Sequence, residues 1–345
     1  IRQTKKRIKP DGLKKTRAVQ PGDFILSNSM SFGRPYIMGI DGCIHDGWLL
    51  LRPATGQIDT DYFYHLLGSP SVYAVLASRA AGATVKNLNS EIVREVEIPL
   101  PPLAEQKRIA AILDQAARLT RLRAEALAKL DMLGQAIFQE MFGDPLVNPY
   151  GWPMGIIGDL LDEVNYGTSQ KANTEGRGIP ILRMGNITYD GKIDLSDLKH
   201  VELEPRELRQ YTTQRGDILF NRTNSKEMVG KTAVVKTDAQ LAFAGYLVRA
   251  RVNARGNPDY VAGYLNSRHG KATLVGMCKN IVGMANINAK EMQTIKIAIP
   301  PRELQDAFSE RLEASQPLRQ VFDTSLSASQ TLFASLQHRA FRGEL

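Results

Sequence analysis

The chain has 345 residues, of which 43% are hydrophobic, so it is long enough for two domains with cores of their own. Its net charge of +8 favours a polyanionic partner, and no apolar run approaches the ~18 residues of a membrane span. Two distant cysteines, Cys43 and Cys278, exclude a disulfide framework and fit a reducing cytoplasm.

The first part of the chain contains a turn that leads into a buried strand. The motif QPGDFILSN at 20–28 combines Gly22-Asp23 with an apolar run, which is typical of a turn followed by a strand. Because residue 1 is Ile rather than Met, we expect the natural start of the gene product to lie upstream. Only about twenty residues precede Gly22-Asp23, whereas about sixty separate Gly151 from the matching turn at Gly216-Asp217, so the first domain is expected to lack its leading portion.

A long uninterrupted helix is predicted next. Residues 103–142 contain no Pro, and apolar side chains recur at spacings of three and four from Ile109 to Ile137, with Arg123 as the one exception in the series. This pattern is a heptad seam of the kind that coiled coils use. A helix of this length would span ~60 Å at ~1.5 Å per residue.

The central part of the chain repeats the first part. QRGDILFN at 214–221 matches the QPGDFILSN motif at an offset of 194 residues. IAIPPRELQDAFSERL at 297–312 matches IPLPPLAEQKRIAAIL at 98–113 at an offset of 199, which aligns Gln106 with Gln305. Repeats of this length indicate duplicated domains rather than solenoid units. Short β-rich runs mixed with helical stretches predict an α/β (mixed α+β) fold for each domain.

A second long helix is predicted after the second Pro-Pro pair. Its apolar seam is interrupted by Ser315, Arg319 and Ser329, and Pro317 in its middle removes a hydrogen bond and is expected to kink the rod. Two seams in one chain can bury each other, so we expect the helices to pair antiparallel within one molecule. The expected architecture is two globular domains with pseudo-two-fold symmetry, separated by this intramolecular coiled coil. Its segments are a first domain at 1–100, a first helix at 101–144, a second domain at 145–299 and a second helix at 300–345.

The motifs of catalysis and metal binding are incomplete or missing. Asn148-Pro149-Tyr150 lacks the second Pro of an adenine methyltransferase motif, and Gly230-Lys231-Thr232 lacks the first Gly of a phosphate loop. The five His show no metal-ligand spacing. We therefore expect a binding protein with no catalytic residue, no metal site and no cofactor of its own.

The segment NRTNSKEMVGK, residues 221–231, is the main candidate for DNA contact. It leaves a predicted buried strand and groups polar and basic side chains in one loop. Arg reads guanine edges and Asn reads adenine edges through paired hydrogen bonds, while Lys and Ser/Thr hold phosphates. The alternative interpretation is an ordinary polar surface loop, and composition alone does not separate the two.

Taken together, these segments resemble the specificity (S) subunit of type I restriction-modification systems. The resemblance covers nearly the whole chain, and it departs from the family at the missing start and at Pro317. Besides the two Pro-Pro helix starts, the matching pieces are MFGDP at 141–145, Gly151-Trp152-Pro153, IPILRMGNI at 179–187, QRGDILFNRTNS at 214–225, VGKTAVV at 229–235 and LQHRAFRGEL at 336–345.

The resemblance implies a non-catalytic subunit in a bacterial or archaeal cytoplasm. Each of its two target-recognition domains would read one half of a split, asymmetric DNA site, and the paired helices would fix the gap. The implied partners are double-stranded DNA, two methyltransferase (M) subunits and restriction/motor (R) subunits, which would bind the methyl donor, ATP and Mg. The residues expected to contact DNA are Arg183, Asn186, Asn221, Arg222, Thr223, Asn224 and Lys226 in the second domain, and Asn28, Ser29, Arg34, Lys86 and Asn87 in the first.

Two other functions stay open at this stage. In the first, the chain is a non-enzymatic scaffold whose coiled coil bridges protein partners, and DNA binding that falls steeply with salt would argue against it. In the second, the chain is a self-contained methyltransferase. Binding of a methyl donor by the isolated chain would support that alternative, and we expect none.

Overall fold

The structure is a computed structural model that describes residues 1–4, 7–28, 33–53, 56–80, 88–277, 279–281 and 284–345. The chain divides into two compact units. The first unit combines Ile1–Ala126 with Phe322–Leu345, and the second unit is Leu127–Val321. Each unit therefore contains its own sheets and a part of both long helices, which confirms the mixed α/β fold with two sheet-rich domains.

In the first unit, short strands precede the helices. The strands are β1 (Arg17–Val19), β2 (Phe24–Ser27), β3 (Pro35–Ile37), β4 (Gly42–Ile44) and β5 (Trp48–Leu51). The helices are α1 (Thr60–Leu67), α2 (Pro70–Ala80), α3 (Ser90–Arg94) and the first part of α4 (Leu103–Phe142).

Strand β2 is the centre of the first unit. It lies between β3 and β5 in an antiparallel sheet, and its four residues are all buried. Alternate side chains enter different cores: Phe24 and Leu26 pack with the helices, and Ile25 packs on the other face. The turn before β2 is fixed by Asp23, whose carboxylate binds the guanidinium of Arg52 at 2.7 and 2.6 Å.

The second unit is richer in strands. The strands are β6 (Met154–Ile156), β7 (Leu161–Tyr166), β8 (Ile179–Leu182), β9 (Lys199–Val201), β10 (Ile218–Asn221), β11 (Thr223–Asn224), β12 (Thr232–Val234), β13 (Ala242–Phe243), β14 (Leu247–Val252), β15 (Lys279–Ile281), β16 (Met284–Asn286) and β17 (Lys296–Ala298). The helices, besides the end of α4, are α5 (Pro205–Tyr211), α6 (Pro258–Asn266), α7 (Arg268–Met277), α8 (Ala289–Gln293) and α9 (Arg302–Ala340), which ends in the first unit.

The main sheet of the second unit has the strand order β12-β10-β14-β7. Its strand β14 carries Arg249, which is fully buried. The Arg249 guanidinium donates to the Glu163 carboxylate and to the carbonyl of Thr212, both at 2.6 Å. Burial alone would raise the pKa of Glu163, but Arg249 and Arg251 together lower it. A buried cation is tolerated here because it has charged and hydrogen-bonding partners.

The sequence repeat is a structural repeat at the helix starts. In each unit, a fully buried glutamine, Gln106 or Gln305, donates to the carbonyl of the first proline of the pair, at 2.8 and 2.9 Å respectively. The same glutamine accepts the N–H of Asp59 at 2.9 Å in the first unit and of Asn257 at 2.9 Å in the second. The glutamine therefore connects the start of each long helix to the loop before a shorter helix.

The ends of the long helices repeat as well. In the second unit, Phe142 at the end of α4 packs edge-on against Tyr260, with ring centroids 4.7 Å apart. In the first unit, Phe341 just after α9 packs edge-on against Tyr62 at 5.6 Å. Each tyrosine hydroxyl donates to a carbonyl just before the Pro-Pro pair, at 2.9 Å from Tyr62 and 2.6 Å from Tyr260.

Within the second unit, α4 and α9 pair in opposite directions. Arg311 binds Glu140 at 3.0 Å, and Arg319 binds Asp131 at 3.0 Å, so later residues of α9 meet earlier residues of α4. Helix α9 continues through Pro317. The antiparallel pairing predicted from the two seams is therefore present in this unit.

In the first unit, the same pairing gives Arg123, the exception in the first seam, its partners on the second helix. Arg123 donates to the carbonyl of Ser325 at 3.0 Å and to the hydroxyl of Ser329. Ala340 joins Ile109 in the core of this unit, so the helices are antiparallel here too. The polar exceptions on the two helices bind each other across the seam.

Among the helices of the described ranges, none combines the length and the apolar character of a membrane span.

Candidate nucleic-acid interface

The loop 221–231 leaves the central strand β10 and is closed at its base. The N–H of Asn221 donates to the carbonyl of Lys231 at 2.8 Å, and the N–H of Gly230 donates to the carbonyl of Asn221 at 2.8 Å. Gly230 has a φ of +77°, a conformation that favours glycine. The loop therefore leaves β10 and returns at β12 with its two ends hydrogen-bonded to each other.

A second hairpin supports the middle of this loop. Thr223 and Asn224 form β11, which pairs antiparallel with β16. The carbonyl of Arg222 accepts the N–H of Ile287 at 2.9 Å. After a turn at Ser225, Lys226 is exposed. The backbone contacts give the loop a fixed shape, as a reader of base edges requires.

Arg222 stands beside two exposed tyrosines. The Arg222 guanidinium lies over the ring of Tyr166 at 4.9 Å, and the backbone N–H of Arg222 donates to the backbone carbonyl of Tyr246 at 3.0 Å. Tyr166 is 44% exposed and Tyr246 is 49% exposed. A guanidinium held against an aromatic ring keeps its planar donors oriented, which suits recognition of a guanine edge or a phosphate.

Asn221 lies at the base of the loop, and Thr223 and Lys231 of the same loop are buried as well. The side chain of Asn221 is fully buried, and neither amide atom has a hydrogen-bond partner within the described ranges. A buried amide without a partner is costly and calls for an explanation. The candidate role of Asn221 in DNA contact stays a prediction, and this geometry gives it no exposed surface.

Arg183 and Asn186 belong to a braced turn rather than to the loop. Asn186 is buried, accepts the N–H of Arg183 at 2.9 Å and donates to the carbonyls of Asp194 and Asp197 at 2.9 and 3.0 Å. The guanidinium of Arg183 binds the Asp197 carboxylate at 3.0 Å. This geometry gives Asn186 a structural role, and DNA contact by either residue stays a prediction.

In the first unit, Asn28 follows β2 as Arg222 follows β10 in the second unit. Asn28 is buried, and its amide donates to the carbonyl of Asp46 at 2.6 Å. The backbone carbonyl of Asn28 accepts the backbone N–H of Leu88 at 3.0 Å, as the backbone carbonyl of Arg222 accepts that of Ile287 in the second unit. Arg34 is exposed. The candidates Ser29, Lys86 and Asn87 lie outside the described residues.

Other groups near the second unit's loop were not expected from the sequence. Lys231 is buried and donates to the carbonyl of Met184 at 2.9 Å, and burial lowers its pKa. The pKa of Lys271 is lowered to about 8, mainly by burial and in part by the nearby charge of Lys231. The Lys271 ammonium lies 4.3 Å from the ring centroid of Tyr189. Tyr166 and Tyr246, the two exposed tyrosines beside Arg222, were also not predicted from the sequence as site residues. Their only sequence signal is an adjacent glycine, which is weak.

Within the described residues, no group of three or more His, Cys, Asp or Glu could hold a metal ion. The candidate site is a backbone-supported loop with cationic, amide and aromatic side chains. Those groups can bind phosphates and base edges.

Comparison with known proteins identifies the family. The family model described as "Type I restriction modification DNA specificity domain" matches residues 3–132 and 149–316. The EcoKI specificity subunit of Escherichia coli K12 is 27% identical over 96% of this chain and 77% of its own length. The StySPI specificity subunit of Salmonella potsdam is 24% identical over the same shares of the two chains.

Solved structures agree on the fold. A chain from a structural study of assembly and conformational transition in the type I R-M system matches with a TM-score of 0.60 and 20% identity, over 96% of this chain and 84% of that chain. The crystal structure of a type I S subunit from M. genitalium matches with a TM-score of 0.54 and 15% identity, over 95% and 84%. Since the family model matches most of the sequence, in two segments, this chain belongs to the type I restriction-modification DNA specificity family.

Proposed function

We propose that the chain is the non-catalytic, sequence-reading subunit of a type I restriction-modification complex, and that each unit reads one half of a split DNA site. The observation that carries the proposal is the family match in two segments, 3–132 and 149–316, each covering the sheet-rich part of one repeat. The matched hydrogen bonds at the helix starts support two equivalent readers in one chain.

In the second unit, the loop 221–226 is the proposed reading element. Arg222 is the proposed base reader because its guanidinium is oriented by Tyr166, and Lys226 is the proposed phosphate contact because it is exposed at the turn. In the first unit, Arg34 is the proposed counterpart. It lies in the connection between β2 and β3, which corresponds to the connection between β10 and β12.

The partners in this proposal are double-stranded DNA, two methyltransferase subunits and the restriction/motor subunits. The methyl donor, ATP and Mg would be bound by those partners. The antiparallel pairing of α4 and α9 within each unit supports a role for these helices as the docking surface for the methyltransferase subunits.

The proposal is tested by expressing the chain with the methyltransferase subunit of its own operon in a host without this system, and mapping methylated adenines across the genome. The expected result is one motif made of two short specified parts with an unread gap. The methyltransferase subunit alone is the control and should give no such motif. An undivided motif, or methylation that does not depend on this chain, would contradict the proposal.

A further inference from the structure

Strand β16 supports the candidate reading loop from one side. Thr223 of β11 pairs with Asn286 of β16, and the backbone N–H of Ile287 donates to the backbone carbonyl of Arg222 at 2.9 Å. On its other edge β16 pairs with β15, so it is the middle strand of a three-stranded sheet. A side chain on β16 is therefore held by the same backbone hydrogen bonds that give the loop its shape.

The alternation of side chains along β16 places Asn286 on the outer face of this small sheet. Ala285 and Ile287 are 1% and 0% exposed, and both belong to the main core of the unit. Successive side chains of a strand point to opposite faces, so Met284 and Asn286 point away from that core. Met284 is 49% exposed and Asn286 is half-buried. A bound macromolecule can therefore reach Asn286.

Thr223 orients the amide of Asn286. The Thr223 hydroxyl donates to Oδ1 of Asn286 at 3.4 Å. Paired residues of an antiparallel ladder have neighbouring side chains, so this contact follows from the register of the two strands. Among the described residues, Nδ2 of Asn286 has no hydrogen-bond partner, and Oδ1 keeps a second lone pair. The amide therefore offers one donor and one acceptor side by side.

The sequence repeat separates Asn286 from a nearby asparagine with a structural role. Asn-Ile-Asn at 286–288 corresponds to Asn-Leu-Asn at 87–89 at the offset of 199. The second Asn of each triplet caps a short helix, because it accepts the backbone N–H three residues further on, at 2.8 Å in the first unit and 2.9 Å in the second. A helix cap explains that Asn but not Asn286. The counterpart of Asn286 is Asn87, one of the DNA contacts predicted from the sequence.

From these observations we propose that Asn286 is a further specificity-determining residue, which reads the major-groove edge of one adenine in the half-site of the second unit. Its Nδ2 donates to adenine N7, and its Oδ1 accepts a hydrogen bond from the N6 amino group. Thr223 is then a positioning residue that acts through Asn286. This inference rests on the proposed function, because it requires that the loop 221–226 faces DNA.

A purely structural role for Asn286 makes a different prediction. If the residue only braced Thr223, its loss would weaken binding of every duplex by a similar factor, because contacts that hold the protein in place carry no sequence information. A base reader is instead sensitive to a change of one atom in one base. The two roles are therefore separated by altering the DNA and the protein together.

The experiment uses the complex of the full chain with methyltransferase subunits, and duplexes that carry the motif found by the methylation map. Each adenine in the specified parts of the motif, on either strand, is replaced in turn by 7-deazaadenine. This base has carbon in place of N7, so it loses the acceptor but keeps its pairing. We expect one replacement to weaken wild-type binding by at least about fivefold. The same replacement should leave binding by Asn286→Ala unchanged.

Two further variants test the roles of neighbouring residues. Thr223→Val removes the hydroxyl at nearly constant shape, so the effect of 7-deazaadenine at the sensitive position should be smaller than in wild type. Asn288→Ala is the matched control, because it removes an asparagine two residues away that caps a helix. It should lower the midpoint of unfolding in urea and leave the effect of 7-deazaadenine at its wild-type size.

Two results would overturn the inference. The first is wild-type binding that is the same for all the 7-deazaadenine duplexes as for the unmodified duplex. The second is an Asn286→Ala complex that stays as sensitive as wild type at the sensitive position. Both can occur with a two-part methylation motif, so they leave the proposed function standing. A motif without division contradicts the proposed function itself, and the inference then falls with it.

Discussion

At the scale of single residues, the loop after β10 separates structural from exposed side chains. Asn221 and Thr223 are buried, whereas Lys226 is exposed and the guanidinium of Arg222 lies over the exposed ring of Tyr166. The sequence predicted the loop from its composition. It could not predict this division, because burial of a polar side chain depends on neighbours that are distant in the chain.

Arg222→Ala should weaken binding of the specific duplex by the complex with methyltransferase subunits by about 1–3 kcal/mol. The discrimination against a single wrong base pair should fall by a similar factor, since a guanidinium contact to one base is lost. The measurement is a titration of target and single-mismatch duplexes at fixed salt.

Arg215→Ala is the matched control for that substitution. Arg215 precedes β10, whereas Arg222 follows it, and Arg215 forms an exposed ion pair with Asp238 at 2.7 Å. Its loss removes the same charge from the other end of the strand and should leave discrimination unchanged. Equal effects of the two substitutions on discrimination would remove Arg222 from the reading element.

Lys271 should make the stability of the second unit depend on pH. Its pKa is lowered to about 8 in the folded chain, mainly by burial, against roughly 10.5 in an unfolded chain. Between these values the unfolded chain binds more protons, so stability rises with pH in this window. Urea unfolding at about pH 7 and about pH 9.5 should show wild type gaining stability relative to Lys271→Gln as the pH rises. An unchanged difference would contradict the burial of this charge.

At the scale of elements, the sequence placed the long helices well because their signals are local. The Pro-Pro pairs predict where each helix begins, and the heptad seam predicts its length. The seam also contained exceptions, Arg123 and Ser329, that the sequence left unexplained. They bind each other between antiparallel helices, a contact between residues about 200 positions apart that no local pattern reveals.

Gln305→Ala should destabilise the second unit. The substitution leaves the N–H of Asn257 and the carbonyl of Pro300 without their buried partner, and each such loss costs about 1–3 kcal/mol. The measurement is the midpoint of unfolding in urea. The control is Glu310→Ala, at an exposed position of the same helix. This control substitution should change the free energy of unfolding by less than about 0.5 kcal/mol. Equal midpoints for the two variants would contradict the role assigned to the glutamine.

At the scale of the whole chain, the repeat was visible in the sequence, and the structure explains the change of its offset from 194 to 199. Residues 28–34 connect β2 to β3, whereas residues 222–231 connect β10 to β12. Part of the extra length therefore lies in the candidate reading loop, where a surface insertion is well tolerated. The pairing of strands around β2 and β10 could not be predicted, because the connections between them carry no fixed turn signal.

DNA binding should depend strongly on salt. The chain carries a net charge of +8, and each phosphate contact released by salt adds about −0.9 to the slope of log K against log salt concentration. Lys226→Ala should reduce the steepness of that slope by about 1 while leaving base discrimination unchanged. A slope near zero for the wild-type complex would favour the scaffold alternative.

The central claim is that two units of one chain read two halves of one site. The most direct measurement is a comparison of genome-wide adenine methylation maps for the wild type, Arg222→Ala and Arg34→Ala, each expressed with the methyltransferase subunit. The predicted result is a two-part motif in which Arg222→Ala relaxes one half and Arg34→Ala relaxes the other. Relaxation of the same half by both substitutions, or a motif with no division, would contradict the claim.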